Sequence, residues 1–147
     1  MYDLNASNGL ERLEAIKAGE LETPPMWLLM GLQLDEIKKG EVSFLCTPRK
    51  EHYNPWGNTH GGFAATLLDS AVGCSIQSML PAGVSYTTLE LKVNYIRPMT
   101  IETGQVKVIG KTIHVGRRTA VSEGQIVDSR GRTLNHATTT CMVFRPE

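Results

Sequence analysis

One stretch of this sequence, residues 54 to 78, constrains the fold more than any other. It begins as a loop rich in glycine and polar residues, passes through His60-Gly61-Gly62, and continues as a helical run whose apolar residues occupy every face. A helix of that kind must be buried on most of its sides. Asp69 is the one charge in the run, and because an ionised carboxylate is costly to bury without a partner, this residue requires an explanation.

Asp69 has two explanations at this point. It is either a structural side chain, paired or facing solvent, or part of a functional site. Residues nine positions apart in one helix differ by about 13.5 Å along the axis and by about 2.5 turns, so His60 and Asp69 cannot form one site within one chain. Two antiparallel copies of the helix would place each Asp69 against the glycine-rich start of the other, which gives a two-fold homodimer with two sites.

Length and charge limit the class of protein. The chain has 147 residues, 41% of them hydrophobic, which suits one domain with its own core. With 15 basic and 15 acidic residues the formal charge is zero, so the basic excess typical of nucleic-acid binding is missing. The start of the sequence lacks the pattern of a signal peptide, and no apolar run approaches the ~20 residues that span a bilayer. We therefore expect a cytoplasmic protein that binds neither nucleic acid nor membrane.

Cysteine and histidine spacing argues against a metal site. The three cysteines, Cys46, Cys74 and Cys141, show no CxxC spacing and stand in apolar contexts. An odd number of cysteines without a secretory signal favours reduced, buried and inert thiols. The four histidines form neither an HExxH pattern nor a cluster with the cysteines. We therefore expect no metal ion.

The first thirty residues are predicted to form a helical extension. Ser7 or Asn8 can cap a helix that runs to about Ala18, and Pro24-Pro25 precedes one further helical turn.

Alternating apolar and polar residues predict an antiparallel sheet of about six strands. The predicted strands cover residues 31–37, 41–47, 85–95, 102–113, 117–128 and 133–144. A sheet of this length can bury a helix that is apolar on all faces only by wrapping around it. The expected fold is therefore α+β, a single domain with its core over residues 31–144.

Several motifs together resemble one family. The His-Gly-Gly segment at residues 60–62, Asp69 nine positions after His60, Asn54 six positions before it, and the strand motif NYIRP at residues 94–98 resemble the hotdog-fold acyl-CoA thioesterases. The resemblance is greatest to the PaaI-like branch, which is related to the 4-hydroxybenzoyl-CoA thioesterases. It covers roughly residues 31–144.

This resemblance implies hydrolysis of acyl-CoA thioesters to free acid and CoA. It also implies homodimers with shared active sites, often paired into homotetramers. Gly61 and Gly62 would then offer backbone N–H groups to the thioester carbonyl, and Asp69 would be the nucleophile or the general base. Asn54 would position the water or the carbonyl. No metal or prosthetic group is implied, since coenzyme A enters as part of the substrate.

Two residues keep alternative interpretations. Thr88 matches a hydroxyl position that holds the attacking water in some relatives, but it is equally one of several threonines on a strand. His60 is expected to fix the turn by bonding the loop backbone rather than to transfer protons. Where relatives that use a catalytic Glu carry a Thr one helical turn after it, this chain has Gly73, which favours the branch that uses Asp.

Coenzyme A carries phosphates, so basic residues are expected at the mouth of the pocket. Arg117 and Arg118 are the first candidates and Arg97 is the next, because arginine suits phosphate recognition. Each could equally be a solvated surface charge.

Two other functions remain open for such a fold. One is an acyl-thioester hydratase or dehydratase, although the Asp/His loop motif of those enzymes is missing from the sequence. The other is a non-hydrolytic acyl-CoA binder. The acyl group itself is not predicted, because apolar side chains such as Tyr53, Trp56, Phe63 and Met79 suit a pocket, an interface or the core equally.

Overall fold

The computed structural model describes residue 3 and residues 5 to 146. The helices are α1 (Gly9–Ala18), α2 (Pro25–Met30) and α3 (Gly61–Gln77), and short 3₁₀ turns lie at Lys50–His52 and Ile101–Thr103. The strands are β1 (Gln33–Lys38), β2 (Glu41–Cys46), β3 (Ser85–Tyr95), β4 (Val106–Val115), β5 (Thr119–Val127) and β6 (Thr133–Phe144).

The strands form one six-stranded sheet in the order β1-β2-β4-β5-β6-β3. Every neighbouring pair is antiparallel. Helix α3 connects β2 to β3, which is the far edge strand, so α3 must cross the inner face of the three strands between them. The predicted α+β fold, a sheet wrapped around one central helix, is confirmed.

Helix α3 rests directly on the backbone of the sheet. Gly110 of β4 and Gly124 of β5 lie opposite each other on its inner face. A Cβ atom on Gly110 would lie 2.0 Å from the carbonyl oxygen of Ala71, and one on Gly124 would lie 2.7 Å from Val72 Cγ1. Beside them the buried Ser122 Oγ donates to the carbonyl oxygen of Val72 at 2.9 Å. Only glycine at both positions allows the helix to approach this closely.

The helix is buried on all sides but one, close to the prediction from its sequence. Its buried residues include Phe63, Leu67, Leu68, Ala71, Val72 and Ile76. Apart from the terminal residues Gly61 and Gln77, what remains accessible is a stripe at helical spacing, made of the exposed Gly62 and the half-buried Ala65, Thr66, Asp69 and Ser70. We call these five residues the open stripe.

A β-bulge in β3 sets which of its side chains face the helix. Thr88 pairs with Cys141 of β6 and Glu90 with the next residue, Thr140, so Leu89 is an extra residue in β3. Side chains alternate along a strand, and the extra residue shifts this alternation by one. Thr88 therefore faces the helix from an even-numbered position, while Tyr95 faces it from an odd-numbered one.

The N-terminal helix begins and ends as the sequence predicts. Asn8 caps α1, since its Oδ1 accepts from the backbone N–H of Glu11 at 3.0 Å, and the Glu11 carboxylate accepts from the N–H of Asn8 at 2.9 Å. Gly19 ends the helix at φ 78°. All three cysteines are buried, as predicted.

The predicted start of β4 at residue 102 is wrong. Residues 101–103 form a 3₁₀ turn, in which Thr103 Oγ1 accepts from the backbone N–H of Thr100 at 3.0 Å. Gly104, at φ 71°, then ends this turn before the strand begins at Val106. The local bond of the threonine side chain competes with extended backbone here.

Replacing Gly110 should test the contact between helix and sheet. We expect Gly110→Ala to lower the free energy of unfolding by about 3 kcal/mol, because its methyl group has no room beside Ala71. The neighbouring Ile109→Val, on the half-buried outer face, should cost about 1 kcal/mol or less and serves as the control. Denaturant unfolding measures both, and a Gly110→Ala protein of wild-type stability would contradict the contact.

Candidate active site

Helix α3 and strand β3 meet along a line of three side-chain contacts. The two elements run in opposite directions, so the start of the helix lies at the end of the strand. The contacts are Tyr95 Oη donating to the carbonyl oxygen of Gly61 at 3.0 Å, Thr88 Oγ1 donating to Asp69 Oδ1 at 2.9 Å, and the ring of Tyr86 packing against Gly73.

Asp69 lies in the middle of the open stripe and is half-buried. The partner that its sequence context required is a hydroxyl group, Thr88, rather than a cation. Among the residues that the structure describes, no lysine, arginine or histidine pairs with this carboxylate. Because Thr88 occupies Oδ1 and no described group donates to Oδ2, the carboxylate keeps an oxygen that can accept a proton or attack a carbon.

The start of α3 offers one backbone donor. His60 is the N-cap, and its Nδ1 accepts from the N–H of Gly62 at 2.9 Å. The N–H of Gly61 makes no hydrogen bond to any described residue. A Cβ atom on Gly61 would lie 3.1 Å from the ring and hydroxyl of Tyr95, so a larger residue there would have to displace this exposed ring slightly. His60 therefore makes the turn-fixing contact expected of it, and in doing so it occupies one of the two N–H groups predicted to face the substrate.

Asn54 organises the loop before the helix. Its Oδ1 accepts from the backbone N–H groups of Trp56 at 2.9 Å and Asn58 at 3.3 Å, and its own N–H donates to the carbonyl oxygen of Asn58 at 2.7 Å. Nδ2 bonds no described group, so it is the atom of this side chain that remains for a ligand.

One chain does not bring the carboxylate to the helix start. Gly61 and Asp69 are eight residues apart, or about 12 Å along the helix axis. Gly62 and Asp69, however, are about two turns apart and share the open stripe. Within one chain the helix start is therefore separated from the Asp69 carboxylate, although Gly62 and Asp69 lie on one accessible surface.

The three candidate arginines lie at opposite ends of the sheet. Arg97 is exposed at the end of β3 near the helix start, and its guanidinium donates to the carbonyl oxygen of Thr133 at 2.6 Å. Arg117 and Arg118 lie in the turn between β4 and β5, where the carbonyl of Arg118 accepts from the N–H of Val143. That turn is at the end of β6 distant from Thr133, so one chain does not bring all three arginines together.

Arg97 lies between two cavities near the helix start. One, of about 260 Å³, is lined by Thr59, Ala64, Tyr95, Ile96, Arg97, Pro98, Met99 and Asn135. The other is a groove of about 410 Å³ whose polar lining includes Arg97, Glu102, Asp128, Arg130 and Arg132. Arg132 is paired with Asp128 at 2.8 Å.

Sequence reasoning missed two residues of this region. Asn135 is 3% exposed, and its Oδ1 has no hydrogen bond. It occupies an inward position of β6, where strand alternation predicts an apolar residue. A polar residue at such a position was the sequence signal that could have identified it. Tyr86 faces the helix two residues before Thr88, and the same alternation places it on the side of the candidate site.

Two absences concern the described part of the chain. In it, no group of three or more His, Cys, Asp or Glu side chains is arranged to hold a metal ion. None of its helices combines the length and apolar character needed to cross a membrane.

The six-stranded antiparallel sheet wrapped around one central helix defines a hotdog-fold protein. Residues 57 to 135 match the family model of the thioesterase superfamily, which covers more than half of the chain. This chain belongs to that superfamily, and the predicted resemblance is confirmed.

Relatives and a solved structure agree with this membership. A provisionally named esterase of Halobacterium salinarum is 30% identical over 127 residues, covering 80% of this chain and 83% of that protein. The 1,4-dihydroxy-2-naphthoyl-CoA hydrolase of Listeria monocytogenes is 23% identical over 105 residues, covering 71% of this chain and 84% of that protein. The PaaI protein of E. coli superposes with a TM-score of 0.80 at 17% identity, covering 91% of this chain and 94% of its own. Membership and relatives support a thioester hydrolase.

Substitution of His60 should separate capping from chemistry. His60→Ala removes the acceptor for the Gly62 N–H and should lower the free energy of unfolding by about 1 kcal/mol. His60→Ser provides another N-cap acceptor and should keep most of the stability. Thermal unfolding of both, beside the exposed His114→Ala as control, checks this, and equal destabilisation by serine and alanine would contradict the capping role.

Proposed function

We propose that this protein hydrolyses acyl-CoA thioesters to a free acid and coenzyme A. The observation that carries the proposal is the Asp69 carboxylate, held at one oxygen by Thr88 on an accessible stripe that also carries the glycine-rich helix start. Family membership supports the reaction class, and the Listeria relative, named as a CoA hydrolase, supports the CoA thioester.

The working unit that we propose is a two-fold homodimer. Packing the open stripes of two copies against each other in antiparallel orientation places Asp69 of one copy beside Gly62 of the other, because the stripe is centred near Thr66. Each dimer then has two sites, each made of the helix start of one copy and the carboxylate of the other. Light scattering would distinguish this dimer from a tetramer formed by pairing dimers.

The chemistry needs the two halves in different roles. The Gly61 N–H, with the positive end of the helix dipole, stabilises the negative charge that develops on the thioester oxygen. Asp69 either takes a proton from a water molecule that attacks the thioester carbon, or attacks that carbon itself to give an anhydride that water hydrolyses. On both routes the carbon–sulfur bond breaks, and the thiolate takes up a proton to leave as free CoA. Thr88 keeps the carboxylate in position.

Positive charge near the helix start suits the phosphates of the substrate. Arg97 borders both the cavity beside the helix start and the groove that contains Arg130 and Arg132. Arg130 forms no ion pair with any described residue, whereas Arg132 is paired with Asp128. We therefore place the CoA phosphates at Arg97 and Arg130. Arg117 and Arg118 can contribute only if a second copy brings them to the same site.

Replacing Asp69 tests the function. Release of free thiol from a panel of phenylacetyl-, hydroxybenzoyl- and straight-chain acyl-CoAs should fall on the order of 10²- to 10⁴-fold in Asp69→Asn and Asp69→Ala, since either change removes the base or nucleophile. Glu90→Gln, an exposed change in β3, is the control and should keep the wild-type rate. A wild type that binds these thioesters without releasing CoA would be a non-hydrolytic binder, and variants as fast as wild type would exclude the role of Asp69.

Thr88 and Thr87 provide a matched pair. Thr88→Val removes a hydrogen bond to a carboxylate, which is worth about 1.5–3 kcal/mol, so kcat should fall about 10- to 100-fold. Thr87→Val changes the same group on the exposed side of the same strand and should leave kcat within about twofold. Steady-state kinetics compare the two, and equal effects would show that Thr88 acts only as part of the strand.

A further inference from the structure

The helix start is short of one hydrogen-bond donor for an oxyanion. His60 occupies the N–H of Gly62, which leaves Gly61 as the accessible backbone donor. Oxyanion sites commonly aim more than one donor at the oxygen that becomes charged. If the proposed thioesterase function holds, a second donor is expected to come from another part of the site.

Tyr86 has a hydroxyl group that no other described residue uses. Its side chain packs on an apolar cluster that includes Ile76, Leu80 and Val143. Its Oη makes no hydrogen bond with any described residue. The side chain is half-buried, which leaves the hydroxyl accessible to a ligand. A tyrosine hydroxyl in such surroundings usually has a partner, so an unused donor here is an exception that points to a ligand.

Gly73 provides the space for this hydroxyl. A Cβ atom on Gly73 would lie 2.7 Å from Tyr86 Oη and 3.3 Å from Cζ, so any other residue would displace the ring. Gly73 lies one helical turn after Asp69. In this chain the strand supplies a hydroxyl at the same level of the helix.

The hydroxyl stays protonated. Burial, with a smaller contribution from the nearby Asp69 carboxylate, raises the pKa of Tyr86 well above its ordinary value. A group of this kind donates a hydrogen bond across the whole working pH range.

The proposed dimer brings Tyr86 in front of the helix start of the other copy. In antiparallel packing, Asp69 of one copy lies level with Gly62 of the other. Gly73 follows Asp69 by four residues, or about 6 Å along the helix axis. Because the two helices are antiparallel, Gly73 and Tyr86 of one copy lie about 4.5 Å along the axis beyond Gly61 of the other copy, past the start of its helix. The first N–H groups of a helix point in that direction.

We propose that Tyr86 is a catalytic residue of the shared site, whose hydroxyl donates a hydrogen bond to the thioester oxygen together with the Gly61 N–H of the other copy. No covalent bond to Tyr86 forms, and its proton stays on the phenol. The half of the site that carries Asp69 thus provides both the attacking group or its base and one donor for the oxyanion.

Removal of the hydroxyl tests this role. In Tyr86→Phe we expect kcat to fall on the order of 10²-fold for every acyl-CoA that wild type hydrolyses, with KM little changed, since the bond strengthens in the transition state. The melting temperature should stay at the wild-type value, because the lost hydroxyl has no partner. Tyr53→Phe, whose hydroxyl accepts from the N–H of Ile101 at 2.8 Å, is the control and should keep kcat.

The outcomes separate this role from the proposed function. A wild type that releases no CoA overturns both. If wild type is active and Asp69→Asn is not, a Tyr86→Phe enzyme with kcat within threefold of wild type, or with only a raised KM, overturns the role of Tyr86 alone.

Mixed dimers test which copy supplies the hydroxyl. A dimer of one Asp69→Asn chain and one Tyr86→Phe chain has no intact site if Tyr86 acts beside Asp69 of its own chain, so its activity should not exceed that of Tyr86→Phe. A dimer of a double-variant chain and a wild-type chain should keep about half of the wild-type activity. Half activity in the first mixed dimer would overturn the assignment.

Discussion

The contact between α3 and the glycine pair of the sheet, Gly110 and Gly124, determines the rest of the structure. It fixes the distance of the helix from the sheet, because backbone rather than side chains meets the helix there. At that distance a threonine side chain on β3 is long enough to reach Asp69, and a tyrosine at the end of β3 reaches the carbonyl oxygen of Gly61. Larger residues in the sheet would move the helix outward and separate these pairs.

The proposed site therefore consists of two different halves along one helix. The helix start, fixed by His60 and Tyr95, presents a backbone donor, while the middle of the helix presents a carboxylate fixed by Thr88. The carboxylate and the backbone donor therefore lie in different halves. This division explains why a charged residue is tolerated in so apolar a helix: Asp69 lies on the one stripe that the sheet does not cover.

Much of the fold and part of the candidate site were predictable from short-range sequence patterns. The central helix, the extended strands and the isolation of Asp69 follow from periodicity and spacing, and the turn-fixing contact of His60 was expected as well. The bond between His60 and Gly62 was not predictable in its consequence, since it depends on a side-chain rotation that removes one donor. The inward orientation of Tyr86 and the buried amide of Asn135 depend on strand register and tertiary packing, which a single sequence does not contain. The later start of β4 depends on the 3₁₀ turn held by the Thr103 side chain.

The bulge at Leu89 has a consequence for how the family can vary. Since the residue is half exposed and pairs with nothing in β6, many side chains are acceptable at that position. Its deletion would place Thr88 directly before Glu90 in a regular strand, and because Glu90 faces outward, Thr88 and Tyr86 would still face the helix. The inward orientation of the two hydroxyls therefore depends on neither the identity nor the presence of residue 89, so relatives that carry another residue here and relatives that lack it are both expected to keep these hydroxyls on the helix side.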